Sequence, residues 1–288
     1  MKRFKQFLLF VFLAAPSLLA AQNQNIQVLL STNTGIGSLR NAISGANPLD
    51  TIRFGFLTNG NPITLQTPLV IDKPLVIIGN GKSETIISGD QTVGVFRIVN
   101  SDSVTIENLT ILDGAASGFS GGFDVENSIF IARSVTIQNC GTSVNGALAG
   151  GGGLRSINSE ITLQANTDFI SNSSTSNGGA ILIDTSSTLN ATDCNFSNNT
   201  SLNRGGAIAF FTIGNSNNTL SNCSFAGNQC SGANSSGGAI ATTNTLSIDA
   251  CSFAGNTVVG GNKNGGGAIY NEQGNLIITG LSSFFQNA

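Results

Sequence analysis

A tetrapeptide, GGAI, recurs four times in the second half of the chain, and a second signature, F-x-x-N, follows each copy at a nearly constant distance. The tetrapeptides are Gly178-Gly179-Ala180-Ile181, Gly205-Gly206 to Ile208, Gly237-Gly238 to Ile240 and Gly266-Gly267 to Ile269, with a variant GGGL at Gly151 to Leu154. The partner signature stands at Phe169/Asn172, Phe196/Asn199, Phe225/Asn228, Phe253/Asn256 and Phe284/Asn287. The two signatures thus alternate strictly, with a period of roughly 28 residues. Self-similarity at such a period means one supersecondary unit per repeat, stacked so that neighbours share a core.

The residues between the signatures select the unit. Runs such as "VTIQN", "TLSID" and "NLIITG" are short, β-branched and separated by Gly, Asn and Ser, with no helical period. About three such strands per turn wind into an all-β fold: a single-stranded right-handed parallel β-helix (solenoid), in which each strand pairs with its counterpart one coil away at ~4.8 Å. Equivalent residues then stack. Phe is expected inside. Asn three residues later suits a turn, tolerates the left-handed conformation and forms side-chain ladders. The glycine pairs permit backbone shapes closed to other residues, after which Ala and Ile return inward. All five prolines lie at or before Pro74, so none interrupts the later ladder.

Three further segments set the organisation. Lys2, Arg3 and Lys5 ahead of the apolar run Phe7 to Ala15, with small residues at Ala20 and Ala21, read as an export signal over residues 1–21. "SLRNAISGAN" places Leu39, Ala42, Ile43 and Ala46 at helical spacing after Ser38, a short helix that caps one end of the stack. Residues 22–68 are therefore taken as the N-terminal cap, and 69–288 as a continuous solenoid of seven or so coils, a rod of roughly 35 Å. Because the sequence stops one residue after the last F-x-x-N, the final edge is expected either to self-associate or to continue in a longer chain.

Five cysteines are present. Cys194, Cys223 and Cys251 each precede their Phe by two residues, and extending the register backwards puts Cys140 in the same column, with Thr142 and Asn145 in the Phe and Asn places. Alternation puts this column inside. It reads either as a stack of small apolar thiols or as containing one bridge between adjacent coils. Cys230 falls in the loop after Asn228, as a free thiol.

Chemistry is sparse. No His is present, which removes imidazole acid–base catalysis and imidazole metal ligation. Asp168, Asp193 and Asp249 lie one, three and four residues before their Phe and so occupy different columns. Asp124 and Glu126 in "FDVEN" share a strand face as the best acidic pair, expected as two solvated surface carboxylates. Arg97, Arg133, Arg155 and Arg204 are expected as isolated surface cations. With no Trp and only Tyr270, aromatic platforms for sugars are few. Removing the three cations of the signal takes the basic count from 12 to nine against 15 acidic residues, a net charge near −6, which disfavours nucleic acid and anionic membranes. No cofactor, metal or catalytic residue is assigned.

The alternating GGAI and F-x-x-N pairs over Gly151 to Asn287 resemble the repeats of chlamydial-type polymorphic outer membrane proteins, and "GSLRNAISGAN…DTIRF" resembles the CSLREAI-type lead-in of secreted bacterial β-helix proteins, with Gly37 where that motif has Cys. The resemblance implies a pectate-lyase-like β-helix that is secreted or displayed at the outer membrane, attached peripherally or indirectly, and that contacts a host-cell or surface receptor as a non-catalytic adhesin. The repeat residues are then structural, with a second role in adhesion. The alternatives are a β-helical polysaccharide lyase or glycoside hydrolase, and a structural spacer or passenger fragment of an autotransporter. Autotransporter relatives carry a large C-terminal outer-membrane barrel, which is not expected within these 288 residues.

Overall fold

The structure is a computed structural model that describes residues 23–118, 120–143, 149–184, 186–211, 217–260 and 265–288. The export-signal reading and position 145 lie outside the described residues. The described residues wind as a parallel β-solenoid of about nine turns with one short α-helix. Three ladders run its length: sheet I of 17 strands, sheet II of eight and sheet III of six.

One coil shows why the sequence folds this way. Ile208–Phe211 lies on sheet II, Asn218–Ser221 and Ser224–Ala226 on two halves of sheet I, and Gln229–Cys230 on sheet III. Asn222 turns the chain between the two halves at φ 52°, and Gly227 turns it onto sheet III at φ 65°. The same corners recur along the stack: Asn108, Ser134, Asn166, Asp193 and Ala250 at the first, Ser171, Asn198, Gly255 and Gln286 at the second, all left-handed. Small or Asx side chains fill most of these places because they tolerate that conformation at least cost. Between corners the alternation is strict. In Glu160–Gln164, Ile161 and Leu163 point inward, while Glu160, Thr162 and Gln164 face out.

Register stacks the motif. Phe169, Phe196, Phe225, Phe253 and Phe284 pair in sequence, with ring centroids 4.7 to 5.2 Å apart and planes within 10° of parallel. Burying each ring contributes roughly 1.5–3 kcal/mol. The left-handed residue is the one before each motif Asn, not the Asn, whose side chain turns inward instead. Asn228 is typical. Its backbone N–H and Nδ2 donate to Asn256 Oδ1 at 3.0 and 2.9 Å, Nδ2 also donates to Phe196 O at 3.0 Å, and Oδ1 accepts from the backbone and side chain of Asn199. The inward turn supplies partners for backbone groups that the corner would leave unpaired.

The glycine pairs divide two tasks. Gly151, Gly178, Gly205 and Gly237 adopt φ of 56 to 68°. The second glycine sits where the coil is pinched: a Cβ on Gly206 would lie 2.1 Å from Gly238 O and 2.6 Å from the backbone of Gln229. Ala180, Ala207 and Ala239 then pack fully buried, followed by buried Ile181, Ile208 and Ile240.

At the N-terminus, Leu39–Gly45 is the helix, with Ser38 capping Asn41 N and with Leu39, Ala42 and Ile43 buried. It packs on strands Asn25–Val28 and Leu69–Ile71. The ladder does not start near Leu69. Asn25–Val28, Thr51–Phe54 and Leu75–Ile78 are already parallel rungs of sheet I, because Val28, Ile52, Phe54 and Ile77 alternate inward. The cap segment is itself coiled, which raises the count from seven turns to about nine.

Two measurements check this account. Phe225→Ala is expected to cost ~3–5 kcal/mol, and Asn228→Ala, which strands the Asn199 amide and the Phe196 carbonyl, ~2–5 kcal/mol; hydrogen exchange should rise in the adjacent coils only. Gly206→Ala should cost more than ~3 kcal/mol, since backbone must move. By contrast Gly255→Ala, left-handed but with no atom within 4 Å of its Cβ, should cost ~1–2 kcal/mol in urea denaturation.

Candidate functional site

In-register stacking makes neighbours of residues a full coil apart. On the outer face of sheet II, Arg97, Asp124 and Arg155 are consecutive rungs. Arg155 Nε donates to Asp124 Oδ1 at 2.7 Å, Arg97 Nε stands 3.7 Å from Asp124 Oδ2, and Arg97 Nη2 is 3.6 Å from Glu126 Oε2. Asp124 and Glu126 do share a face, but Asp124 is only 2% exposed and is not a solvated carboxylate. The arginines are not isolated either. Arg133 pairs with Glu107 at 2.9 Å across one rung, and Arg204 pairs with Glu272 while lying 5.2 Å above the Phe211 ring. Register brings most of these groups together: Arg97, Asp124 and Arg155 hold equivalent places in adjacent coils, as do Arg133 and Glu107, whereas Arg204, level with Asn177 and Ser236, reaches Glu272 from a different place in the coil. Exposed pairs of this kind contribute ~0–1 kcal/mol. The buried Asp124–Arg155 pair is different, because removing one partner costs ~3–5 kcal/mol.

The other aspartates remain apart. Asp168 takes Lys82 at 2.6 Å and Asn195 Nδ2 at 2.8 Å, whereas Asp249 accepts from Thr279 Oγ1 at 2.8 Å. Among the described residues no three Cys, Asp or Glu side chains gather into a metal-binding set, and no helix is long and apolar enough to cross a membrane.

Beside Arg97 and Asp124 the surface opens into a groove of about 460 Å³, lined among others by Arg40, Thr67, Pro68, Val70 and Ala116. Arg40, on the helix, donates to Thr67 O at 2.5 Å and Pro68 O at 3.0 Å and so fixes the facing wall. A volume of this size is in the range of small-molecule sites.

The repeat residues lie elsewhere. Phe196, Phe225, Phe253, Asn199, Asn228 and Asn256 are at most 1% exposed, as are Ala180 and Ile181; Gly178, Gly205 and Gly237 face the backbone of their own coil at Ile181, Ile208 and Ile240, while Gly179, Gly206 and Gly238 face the glycine carbonyl of the neighbouring coil. Gly266 and Gly267 belong to the last coil, where Phe284 is 47% exposed and Asn287 still accepts from Asn256 Nδ2 at 2.8 Å. Coil length varies most over residues 212–218 and 229–236; of these, 212–216 lie outside the described residues, Asn218 begins a strand of sheet I, and Gln229–Cys230 is a strand of sheet III followed by exposed Ser231, Ala233 and Asn234.

All five cysteines are free and buried. Cys194, Cys223 and Cys251 form one interior column with Thr167 and Ser282, and each side chain caps its corner: Cys251 N donates to Ser282 Oγ at 3.1 Å as Cys223 N does to Cys251 Sγ at 3.4 Å. Cys140 is not in that column. Ile137 pairs with Phe169, so Val135 takes the cysteine place and Cys140 takes that of Asn172, whose Oδ1 accepts from Cys140 N at 3.0 Å. Cys230 is no loop thiol but a strand residue under Ser201 Oγ at 3.4 Å. Burial pushes Cys140 up to about 12, and hydrogen bonding with Cys194 raises Cys223 to about 12. Cys251 is raised by its bond to Cys223 and by burial, and Cys230 by burial. A thiol whose folded pKa is raised stabilises fully below its ordinary value of 9.0 and loses that contribution as pH rises towards the folded value. Native protein at pH 8 should therefore take up no alkylating reagent and five equivalents once unfolded, and stability should fall above about pH 9. Labelling followed by mass spectrometry, and melting against pH, check both.

Comparison with known proteins places this architecture. Residues 166–184 and 193–210 match the family model of the Chlamydia polymorphic membrane protein (Chlamydia_PMP) repeat. Each stretch spans an F-x-x-N together with the GGAI that follows. No curated protein matches the chain. A solved structure described as Geobacillus virus E2 - ORF18 is similar at 15% identity with a TM-score of 0.48, covering 90% of this chain. This chain spans 62% of the length of that one. The chain is thus a parallel β-solenoid in which two segments on adjacent rungs match the Chlamydia polymorphic membrane protein repeat.

Proposed function

We propose that the chain is a surface-exposed or secreted adhesin-like protein of the polymorphic outer membrane protein type, acting by contact rather than by catalysis. The observation that carries this is the match of two consecutive coils to that repeat. The physical support is the shape. About nine turns at ~4.8 Å make a rod of roughly 40 Å, whose outer faces repeat similar side chains at each rung. Many weak equivalent contacts give avidity without a deep pocket.

Export through the residues 1–21 signal and outer-membrane or extracellular residence belong to the same reading, with a host-cell or surface receptor as partner. The interior is reserved for folding, so contact falls to exposed positions between coils, including Ser231, Ala233 and Asn234. Among the described residues Asp124 is tied to Arg155, Asp168 to Lys82 and Asp249 to Thr279, which supports contact over turnover.

Beads coated with the chain lacking residues 1–21 are expected to adhere to host cells better than beads carrying an unrelated β-solenoid. Replacing residues 212–217 and 231–234 by Gly/Ser should abolish most of the excess. Equal adhesion by the unrelated solenoid overturns the proposal in favour of a spacer, and cleavage of a polysaccharide lost on Asp124→Asn overturns the non-catalytic part.

A further inference from the structure

We propose that the groove between the helix Leu39–Gly45 and the strand Phe123–Glu126 is a binding site for a neutral saccharide, with Asp124 and Arg97 gripping neighbouring ring hydroxyls. The site goes beyond the adhesion reading and does not depend on it, since it sits on the early coils, away from the loop Gln229–Ser236.

The first argument is a buried acceptor without a donor. Asp124 Oδ2 is inaccessible to solvent and accepts no hydrogen bond among the described residues, although Arg97 Nε faces it at 3.7 Å. A carboxylate oxygen left in this condition is costly, and a ligand hydroxyl supplies the missing donor. The carboxylate is already aimed, because Arg155 Nε holds its other oxygen at 2.7 Å. Preorganisation of that kind reduces the ordering that binding requires.

The second argument is the lining. The Arg97 side chain is 41% exposed at the groove edge, so a small swing opens Asp124 and presents guanidinium donors to an adjacent hydroxyl. Opposite stand Pro68 and Val70, the latter 51% exposed, an apolar wall held in place by Arg40. A pyranose has this same division: a C–H face that packs on apolar surface and an edge of hydroxyls that both donate and accept. Pro68 and Val70 thus stand in for the aromatic platform that the composition lacks.

Charge selects within the class. An anionic sugar would meet Asp124 and Glu126 at a place where Arg97 and Arg155 already have carboxylate partners. A metal ion would meet guanidinium nitrogens 2.7 and 3.7 Å from the same carboxylate. A neutral hydroxyl pair avoids both conflicts.

Isothermal titration of the chain lacking residues 1–21 with maltotriose, cellotriose and tri-N-acetylchitotriose, beside trigalacturonate and calcium chloride, tests the proposal. At least one neutral trisaccharide is expected to bind, and Asp124→Asn and Arg97→Gln are each expected to weaken it at least tenfold. Arg97→Gln alters an exposed side chain and keeps the test valid should Asp124→Asn unfold, with circular dichroism reporting the fold. The proposal is overturned if no neutral trisaccharide binds at millimolar concentration, if Arg97→Gln binds as the parent chain does, or if heat is seen only with trigalacturonate or calcium.

Discussion

An asparagine side chain, turned inward and shared between two coils, is the interaction on which the solenoid depends. At each second corner the backbone must bend through a left-handed residue, and its amides and carbonyls face the interior with no strand to pair them. Asn172, Asn199, Asn228 and Asn256 supply both a donor and an acceptor at that depth, each completing the corner of the coil before it. A buried unpaired amide or carbonyl costs ~1–3 kcal/mol, so a column of these residues decides whether the corner can be dry. The phenylalanine stack is a consequence: once the corner is fixed, the residue three places earlier always arrives at the same point in the cross-section.

A second ladder does the same work at the far corner with a smaller group. Ser101 N donates to Ser128 Oγ, Ser128 N to Ser159 Oγ and Ser159 N to Ser187 Oγ, at 3.0 to 3.1 Å. The residue before each is again left-handed, at Asn100, Asn127, Asn158 and Ser186. Above these run exposed amide contacts from Asn158 to Asn127 and from Asn127 to Asn100. Both corners therefore share one grammar: a left-handed residue followed by a buried side chain that bonds to the next coil.

How much of this is readable in the chain depends on whether a residue's identity or its register carries the information. The parallel stack, its short helix and the interior Phe column follow from motifs of constant chemistry. The serine ladder has a signal, the dipeptide Asn-Ser at Asn100, Asn127 and Asn158, but it is too common in so Asn- and Ser-rich a sequence to stand out. Cys140 escapes a register counted back from the later coils, because its own coil is longer than theirs and Ile137 fills the Phe position opposite Phe169. Hydrophobic volume, not the aromatic ring, is what that position selects. The Arg97–Asp124–Arg155 row joins coils of unequal length, so both lengths must be known at once, and no local pattern reports them.

The pinch at the second glycine also governs how such a chain can change. At Gly206 or Gly238 no side chain of any size fits without moving the coils above and below, and the same clash recurs at every rung. Substitution there is closed, yet insertion of an entire coil is open, since a new rung presents the same pinch, the same corners and the same Phe to both neighbours. Length in this architecture is therefore quantised. Changes of length are expected in whole turns of about 28 residues, the repeat period, or in loops on the outside, with the cross-section unchanged.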